Sequence, residues 1–95
     1  MSAYIVVQVN ITNPVNYEEY KKRTPASVEK YGGKFLIRGG EKKDLEGHLE
    51  YSRLVLLEFP DTEKAEEWYA SPEYQEAKAL REGASDGIFT LIQGA

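Results

Sequence analysis

The segment RLVLLEF at residues 53–59 is apolar on both of the faces that a β-strand presents. Leu54 and Leu56 would share one face and the odd-numbered apolar residues the other, because successive side chains of a strand point to opposite sides. An antiparallel sheet with one face in water alternates apolar with polar residues. A sheet that contains this segment therefore needs cover on both faces.

The N-terminal segment, residues 3–11, has the alternation of a strand with one apolar face. Its branched apolar residues stand at every second position: Ile5, Val7, Val9 and Ile11. Shorter strand-like runs occur at residues 34–38 and 88–93. Together with residues 53–59, these segments predict four strands.

The first helical region follows the first strand directly. Asn13 is a suitable N-cap, and Pro14 fits the first helical position, where a backbone N–H would have no partner. Spacings of three and four residues then mark one helix face: Tyr17, Tyr20, Thr24, Val28 and Tyr31. Pro25 predicts a kink or a break near residues 23–24, and the glycines at 32–33 predict the end of the helix.

A second helical region opens at Pro60-Asp61-Thr62, and the capping pattern recurs at Ser71-Pro72-Glu73. Residues 83–87 end this region before the last strand. The order strand, helix, strand, strand, helix, strand is that of the ferredoxin-like βαββαβ plan. The sequence thus predicts an α+β protein in which helices cover one face of a four-stranded antiparallel sheet, with residues 1–95 forming one domain.

The second sheet face and the composition bear on partners. Helices cover only one face, so a second copy of the chain is the simplest cover for the other, and we expect a homodimer.

The chain has no Cys, a single His and a net charge of −4. We therefore expect no metal site, no cofactor and no binding to nucleic acid. The N-terminus does not have the pattern of a signal peptide, and no apolar run has the length of a membrane span, so we expect no membrane association and a cytoplasmic protein.

An ordered set of short strings resembles the domain-of-unknown-function 1330 family, within the dimeric α+β barrel group. The strings are Asn13-Pro14, Tyr17, Tyr20, Tyr31-Gly32-Gly33, Arg38-Gly39-Gly40, Leu45-Glu46-Gly47, Arg53, Glu58-Phe59, Ala65, Trp68-Tyr69, Ser71-Pro72-Glu73-Tyr74 and Arg81. The resemblance spans nearly the whole chain and implies a ferredoxin-like protomer whose sheet pairs with a second sheet to close a barrel. His48 departs from the pattern, since a bulkier aromatic residue is expected there. Wider relatives include cofactor-independent monooxygenases, muconolactone isomerases and haem-dependent chlorite dismutases, but a shared fold does not transfer chemistry.

Glu58 is the candidate catalytic residue. It ends an apolar strand on the side of Leu54 and Leu56, which we expect to face the helices. Burial without a cationic partner would raise the pKa of this carboxyl group and suit it to act as a general base. The alternative is a structural ion pair or a strand-end carboxylate that reaches solvent.

Arg38, Arg53 and Arg81 are candidate ligand-binding residues, because two guanidinium groups can clamp a carboxylate through paired hydrogen bonds. Either Arg38 or Arg53 could instead pair with Glu58 or Glu46. Tyr20, Trp68 and Tyr74 are further candidates for a pocket between sheet and helices, which the rings of Tyr17 and Tyr69 would also line and which would suit a small, flat, partly apolar molecule. The alternative for these rings is core packing with satisfied hydroxyl groups.

Two functions remain open at this point. The first is binding of a small, partly apolar or carboxylate-bearing molecule between sheet and helices, with cofactor-independent catalysis as an extension. The second is a non-catalytic dimeric module, either a ligand sensor or an interaction protein, which predicts a packed interior without a cavity. A haem enzyme ranks third, because His48 lies in a predicted loop rather than on a helix.

Overall fold

The computed structural model describes all 95 residues and contains four strands and three α-helices in the predicted order. The elements are β1 (Ala3–Ile11), α1 (Pro14–Lys30), β2 (Lys34–Arg38), β3 (Arg53–Phe59), α2 (Thr62–Ala70), α3 (Pro72–Arg81) and β4 (Ser85–Gln93). The strands form one antiparallel sheet in the order β2-β3-β1-β4. The predicted α+β fold class is confirmed. None of the three helices combines the length and the apolar character that crossing a membrane requires.

Polar caps begin all three helices. The side chains of Asn13, Asp61 and Ser71 each accept a hydrogen bond from a backbone N–H three residues further on. These bonds satisfy donors that have no partner within the helix. At the end of α1, Gly32 adopts a φ of +78°, the left-handed conformation that favours glycine. The sequence signals therefore set the helix limits.

Helix α1 runs through Pro25, so the predicted region near residues 23–24 contains no break. Proline has no N–H to donate to the carbonyl four residues earlier, which here belongs to Lys21. That carbonyl accepts a hydrogen bond of 2.7 Å from Nη2 of Arg38 and a longer one of 3.4 Å from the Thr24 hydroxyl. The shorter of the two bonds that replace the one the proline removes thus comes from β2.

The strand β3 presents its odd-numbered residues to the helices. Val55, Leu57 and Phe59 are buried in the core, whereas Leu54 and Glu58 lie on the outer face of the sheet. The expectation that Glu58 faces the helices is therefore wrong. Since β3 is apolar on both faces, its own pattern does not choose between them; its register against the clearly one-sided β1 does.

A β-bulge in β2 decides which way that strand presents its last residue. Phe35 is opposite Leu57, but Ile37 is opposite Leu56, so one extra residue is inserted between these pairs. The insertion reverses the alternation of side chains beyond it. Arg38 consequently lies opposite Val55, on the face that carries the helices.

Two further features frame the sheet. β4 begins at Ser85, three residues before the predicted start, and Gly87 within it pairs with Val9. Residues 39–52 connect β2 to β3 without regular structure. The outer face of the sheet keeps large apolar side chains in solvent, among them Ile37, Ile88 and Ile92.

Candidate functional site

A cavity of about 30 Å³ lies between the sheet and the helices. Its polar lining consists of Tyr17, Tyr20, Lys21, Thr24, Arg38 and Arg53, and its apolar lining of Val7, Val28, Phe35, Val55, Leu57, Trp68 and Phe89. The polar residues come from one face of α1 and from the two ends that the β2–β3 connection joins. The core of this protein is therefore not closed on the side where α1 passes over β2 and β3.

Three arginines surround this cavity without forming an ion pair. Arg38 and Arg53 line it directly, and the guanidinium of Arg81 lies 4.5 Å from the ring centre of Phe89, which also lines it. No Asp or Glu oxygen lies within ion-pair distance of any of the three. An uncompensated group of guanidinium ions attracts anions.

The guanidinium of Arg53 combines an unpartnered nitrogen with a close backbone contact. Its Nε is buried and has no hydrogen-bond partner. The Nη1 corner of the same guanidinium packs against Gly39, where an added Cβ would overlap it. Gly39 also has a φ of +70°, so glycine is needed at this position for its conformation as well as for space.

A short polar chain connects the cavity to α3. The hydroxyl groups of Tyr20 and Tyr74 lie 3.0 Å apart, and Nε of Arg81 donates to the Tyr74 hydroxyl over 3.2 Å. Both tyrosines are buried. Tyr74 and Arg81 do not line the cavity themselves; they fix the Tyr20 ring that does.

The tyrosines stay neutral over the physiological range. Burial raises the pKa of Tyr20 well above its ordinary value, and the neighbouring Tyr74 raises it further. Burial also raises the pKa of Tyr17, against the opposing effect of Arg53 and the weaker effects of Arg81 and Arg38. The charges of all three arginines therefore act on the Tyr17 hydroxyl.

The remaining lining is structural or apolar. Trp68 donates its indole N–H to the hydroxyl of Ser27 over 3.1 Å. It therefore offers the cavity an aromatic surface but no free hydrogen-bond donor. Lys21 is paired with Glu18 at 3.2 Å. None of the lining residues is Asp, Glu or His. The cavity thus offers positive charge and aromatic surface, but no group that accepts a proton near neutral pH.

Glu58 lies outside this site. On the outer face of the sheet its carboxylate is 3.3 Å from Nζ of Lys34 and accepts a hydrogen bond of 3.2 Å from the Tyr4 hydroxyl. The hydrogen bonds from Lys34 and then Ser2 lower the pKa of this carboxyl group. The geometry corresponds to the structural ion pair that the sequence left open, on the opposite side of the sheet from the arginines.

The single histidine also lies away from the cavity. His48 is exposed in the connection between β2 and β3, with Nδ1 3.1 Å from a carboxylate oxygen of Asp44. No group of three or more His, Asp or Glu side chains is close enough to hold a metal ion.

The structure thus brings four of the seven predicted site residues to the cavity wall: Tyr20, Arg38, Arg53 and Trp68. Tyr74 and Arg81 support that wall, and Glu58 does not belong to it. The ring of Tyr17, which the sequence also places at the pocket, lies in the lining as well. Sequence reasoning did not assign Thr24 or Lys21 to the site. Thr24 lies on the helix face that the spacing marks, so that face was the available signal.

Comparison with known proteins places the whole chain in one family. Residues 2–95 match the family described as Domain of unknown function (DUF1330). No curated protein matches the chain.

Solved structures share the fold at low sequence identity. A protein of unknown function from Rhodopseudomonas palustris superposes with a TM-score of 0.81 at 19% identity, over 99% of this chain and 82% of the other. A dimeric ferredoxin-like protein of unknown function from Jannaschia sp. CCS1 gives 0.73 at 14% identity, over 99% and 100%. SnoaB, a cofactor-independent oxygenase from Streptomyces nogalater, gives 0.67 at 14% identity, over 99% and 93%. These likenesses establish the ferredoxin-like fold, and chemistry has to be argued from the cavity.

Proposed function

The chain belongs to the DUF1330 family, and from its cavity we propose that the protein binds a small, partly apolar molecule through an anionic group. The site lies between α1 and the sheet and includes Arg38, Arg53 and Tyr17. Each protomer would hold one such site.

The observation that carries the proposal is the buried, unpartnered Nε of Arg53 within a group of arginines that have no carboxylate partner. A buried donor without an acceptor costs about 1–3 kcal/mol. Native proteins keep few such groups, and each one calls for a specific explanation. An anionic ligand would supply the negative charge that these arginines lack.

The apolar lining defines the rest of the ligand. Trp68, Phe35 and Phe89 present aromatic surface around the arginines, and small-molecule sites typically combine such surface with a few polar groups. Drug-sized ligands occupy cavities of about 300–1,000 Å³. At about 30 Å³, this cavity accommodates only the head group of a ligand.

Binding, rather than proton transfer, is the step that this lining supports. A general base has to reach the proton that it removes, and Glu58 is separated from the cavity by the sheet. Catalysis of the kind named for SnoaB would therefore require a substrate that is already ionised when it binds. A non-catalytic module with a fully packed interior is the alternative, and the cavity argues against it.

We also propose that the protein is a homodimer that pairs the outer faces of its two sheets. Ile88 is 45% exposed on this face and Ile92 is 48% exposed, which supports the need for cover. The Jannaschia protein is described as dimeric and ferredoxin-like, which supports the same arrangement. A two-fold axis would make the face complementary to itself.

Native mass spectrometry and anion titration test the function. The protein, purified gently from a cell extract, should carry an added mass of a small acid on each chain. Apoprotein should bind one or more of a set of small carboxylates, sulfonates and phosphonates in preference to the matched neutral amides. Added salt should weaken that binding.

Matched variants assign the binding to the cavity. Arg53→Gln should lose most of the anion affinity, whereas Arg23→Gln should retain it, because Arg23 is exposed on the other side of α1. The proposal is wrong if no anion binds better than its neutral amide, or if the two variants behave alike. In that case a non-catalytic interaction module becomes the better reading.

A further inference from the structure

An apolar groove lies beside the cavity, between α2 and the β4 side of the sheet. Its lining is apolar except for one carboxylate and consists of Ile5, Tyr69, Phe89, Leu91 and Glu66. Ile5 is buried in the core under the helices, and Phe89 and Leu91 pack against the same core. This α2 groove is therefore on the helical side of the sheet, which a dimer formed through the outer faces leaves uncovered.

The register of the strands places the α2 groove in line with the arginines. Arg38 on β2 is opposite Val55 on β3. Val55 is opposite Val7 on β1, which in turn is opposite Phe89 on β4. These residues all line the cavity, so its lining extends from one edge strand of the sheet to the other. Since Arg38 is exposed, its end of the row is the mouth of the cavity, and Phe89 stands at the opposite end.

The ring of Phe89 is the boundary between the cavity and the α2 groove, because it lines both. The ring centres of Tyr69 and Tyr74 lie 5.9 Å and 6.3 Å from that of Phe89. The guanidinium of Arg81 lies 4.5 Å from the same ring centre. A molecule that binds at the arginines and extends along the row therefore meets the Phe89 ring first, and the groove lies behind that ring.

Charge and polarity give the two ends of this path opposite preferences. The cavity carries Arg38 and Arg53, which form no ion pair and attract an anion. The α2 groove carries the exposed carboxylate of Glu66, which also forms no ion pair and repels an anion. The other residues of the groove are apolar or aromatic, and apolar ligand atoms gain free energy by leaving water for such a lining. Both linings thus favour a ligand with its anionic end at the arginines and its apolar end in the groove.

We propose that the α2 groove is the second half of the ligand site, and that it holds the apolar body of the molecule whose anionic group binds at the arginines. The body passes the edge of the Phe89 ring on its way from the cavity to the groove. This inference rests on the anion-binding function proposed above and adds the shape of the ligand, which is elongated with one anionic and one apolar end. It applies to a carboxylate, a sulfonate or a phosphonate head group alike, and it excludes a second anionic group at the far end.

A series of chain lengths tests whether the groove belongs to the site. Straight-chain carboxylates, sulfonates and phosphonates with two, four, six and eight carbons are titrated by isothermal titration calorimetry. In each series that binds, the affinity should rise by about fourfold for every methylene that leaves water, and by at least thirtyfold from two to eight carbons. The eight-carbon molecule with the same anionic group at both ends should lose this gain. An affinity that does not rise with chain length overturns the inference.

Two variants decide where the chain lies. Leu91 lines the groove and not the cavity, so Leu91→Asn should lower the affinity for the eight-carbon anion at least tenfold and leave that for the two-carbon anion unchanged. Phe35→Leu, near the mouth, should keep the full gain from two to eight carbons, because the guanidinium of Arg38 stacks on Phe35 away from the groove. If Phe35→Leu loses the gain and Leu91→Asn keeps it, the body lies at the mouth and the inference is overturned.

The methyl NMR signals of Leu91 in the wild-type protein give the same answer without a substitution. They should shift when the eight-carbon anion binds and stay unchanged when the two-carbon anion binds. If short anions bind better than their neutral amides but neither the Leu91 signals nor the affinity depends on chain length, the inference is overturned while anion binding stands. If no anion exceeds its amide, both proposals are wrong.

Discussion

Nη2 of Arg38 donates a hydrogen bond of 2.7 Å to the backbone carbonyl of Lys21. Pro25 removes the backbone N–H that would bond this carbonyl in α1, and the Thr24 hydroxyl donates to it only over 3.4 Å. The bond joins the mouth of the cavity to the helix that covers it. A helix defect and a strand bulge thus act together, because the bulge in β2 is what turns Arg38 towards the helices.

A double-mutant cycle measures this connection. Pro25→Ala restores a helical donor to the Lys21 carbonyl, so the bond from Arg38 becomes dispensable. Arg38→Gln alone should lower the free energy of unfolding by about 1 kcal/mol, less than is usual for a bond from a charged donor, since Arg38 is exposed. The same change in the Pro25→Ala protein should cost clearly less, with a coupling energy of at least about 0.5 kcal/mol. Urea unfolding of the four proteins gives the answer, and strictly additive effects would contradict the connection.

Gly39 should control the position of Arg53. Gly39→Ala places a methyl group against Nη1 of Arg53 and also strains a backbone with φ of +70°. Gly47→Ala is the matched control, because Gly47 has a φ of +71° and open space around it. Both variants should lose about 1 kcal/mol of stability from the left-handed conformation. Only Gly39→Ala should also shift the NMR signal of the Arg53 Nε–H and weaken anion binding. Equal binding by the two variants would show that Gly39 does not position Arg53.

Much of the fold follows from local patterns, but the site depends on which face each residue occupies. Caps at Asn13 and Ser71 and the alternation of β1 predict the elements, because these signals act within a few residues. The side on which Glu58 lies is set by the pairing of β3 with β1, and that of Arg38 by a single inserted residue in β2. In a strand that is apolar on both faces, the spacing of the apolar residues indicates neither how the strand pairs nor where a residue is inserted.

The same reasoning explains which site residues could be found in advance. Tyr20 lies on a helix face marked by regular spacing, so its direction follows from sequence. Trp68 has a large, mostly apolar side chain, which is expected to be buried. The missing partner of Arg53 Nε is a property of packing and could not be derived from composition or spacing.

The hydroxyl pair of Tyr20 and Tyr74 should limit stability in alkali. The pKa of Tyr20 is raised well above its ordinary value of 10.0, first by burial and then by Tyr74. A raised pKa in the folded state means that this contribution to stability is complete below pH 10 and is lost as the pH rises further. Tyr20→Phe should lower the free energy of unfolding by about 0.5–1.5 kcal/mol at neutral pH through the lost hydrogen bond. Between neutral and strongly alkaline pH, however, the free energy of unfolding should fall by less in this variant than in the wild type. Unfolding curves and tyrosinate absorbance across this range test the point, with Tyr51→Phe, in the β2–β3 connection, as control.

Glu58 should influence stability in acid and leave ligand binding unchanged. Its pKa is lowered, chiefly by Lys34 and then by Ser2, so the carboxylate stabilises the fold above its ordinary pKa of 4.5. That stabilisation disappears as the pH falls through the lowered value. Glu58→Gln should therefore be less stable than the wild type at neutral pH and approach it in acid, at one fixed protein concentration. The anion affinity of Glu58→Gln should equal that of the wild type. A loss of binding in the folded variant would show that Glu58 does contribute to the ligand site.

The outer sheet face should determine the oligomeric state. Ile92 lies opposite Tyr4 on this face and is 48% exposed, so a lysine there would place a charge against its own symmetry mate or the partner's apolar surface. Burying an unpaired charge in an apolar interface is costly. Ile92→Lys should convert a dimer into a folded monomer in sedimentation velocity. Val15→Lys should remain dimeric, because Val15 is 76% exposed on the far side of the helical layer, at the start of α1. A wild-type protein that sediments as a monomer at tens of micromolar would disprove the dimer, and with it the explanation of why β3 is apolar on both faces.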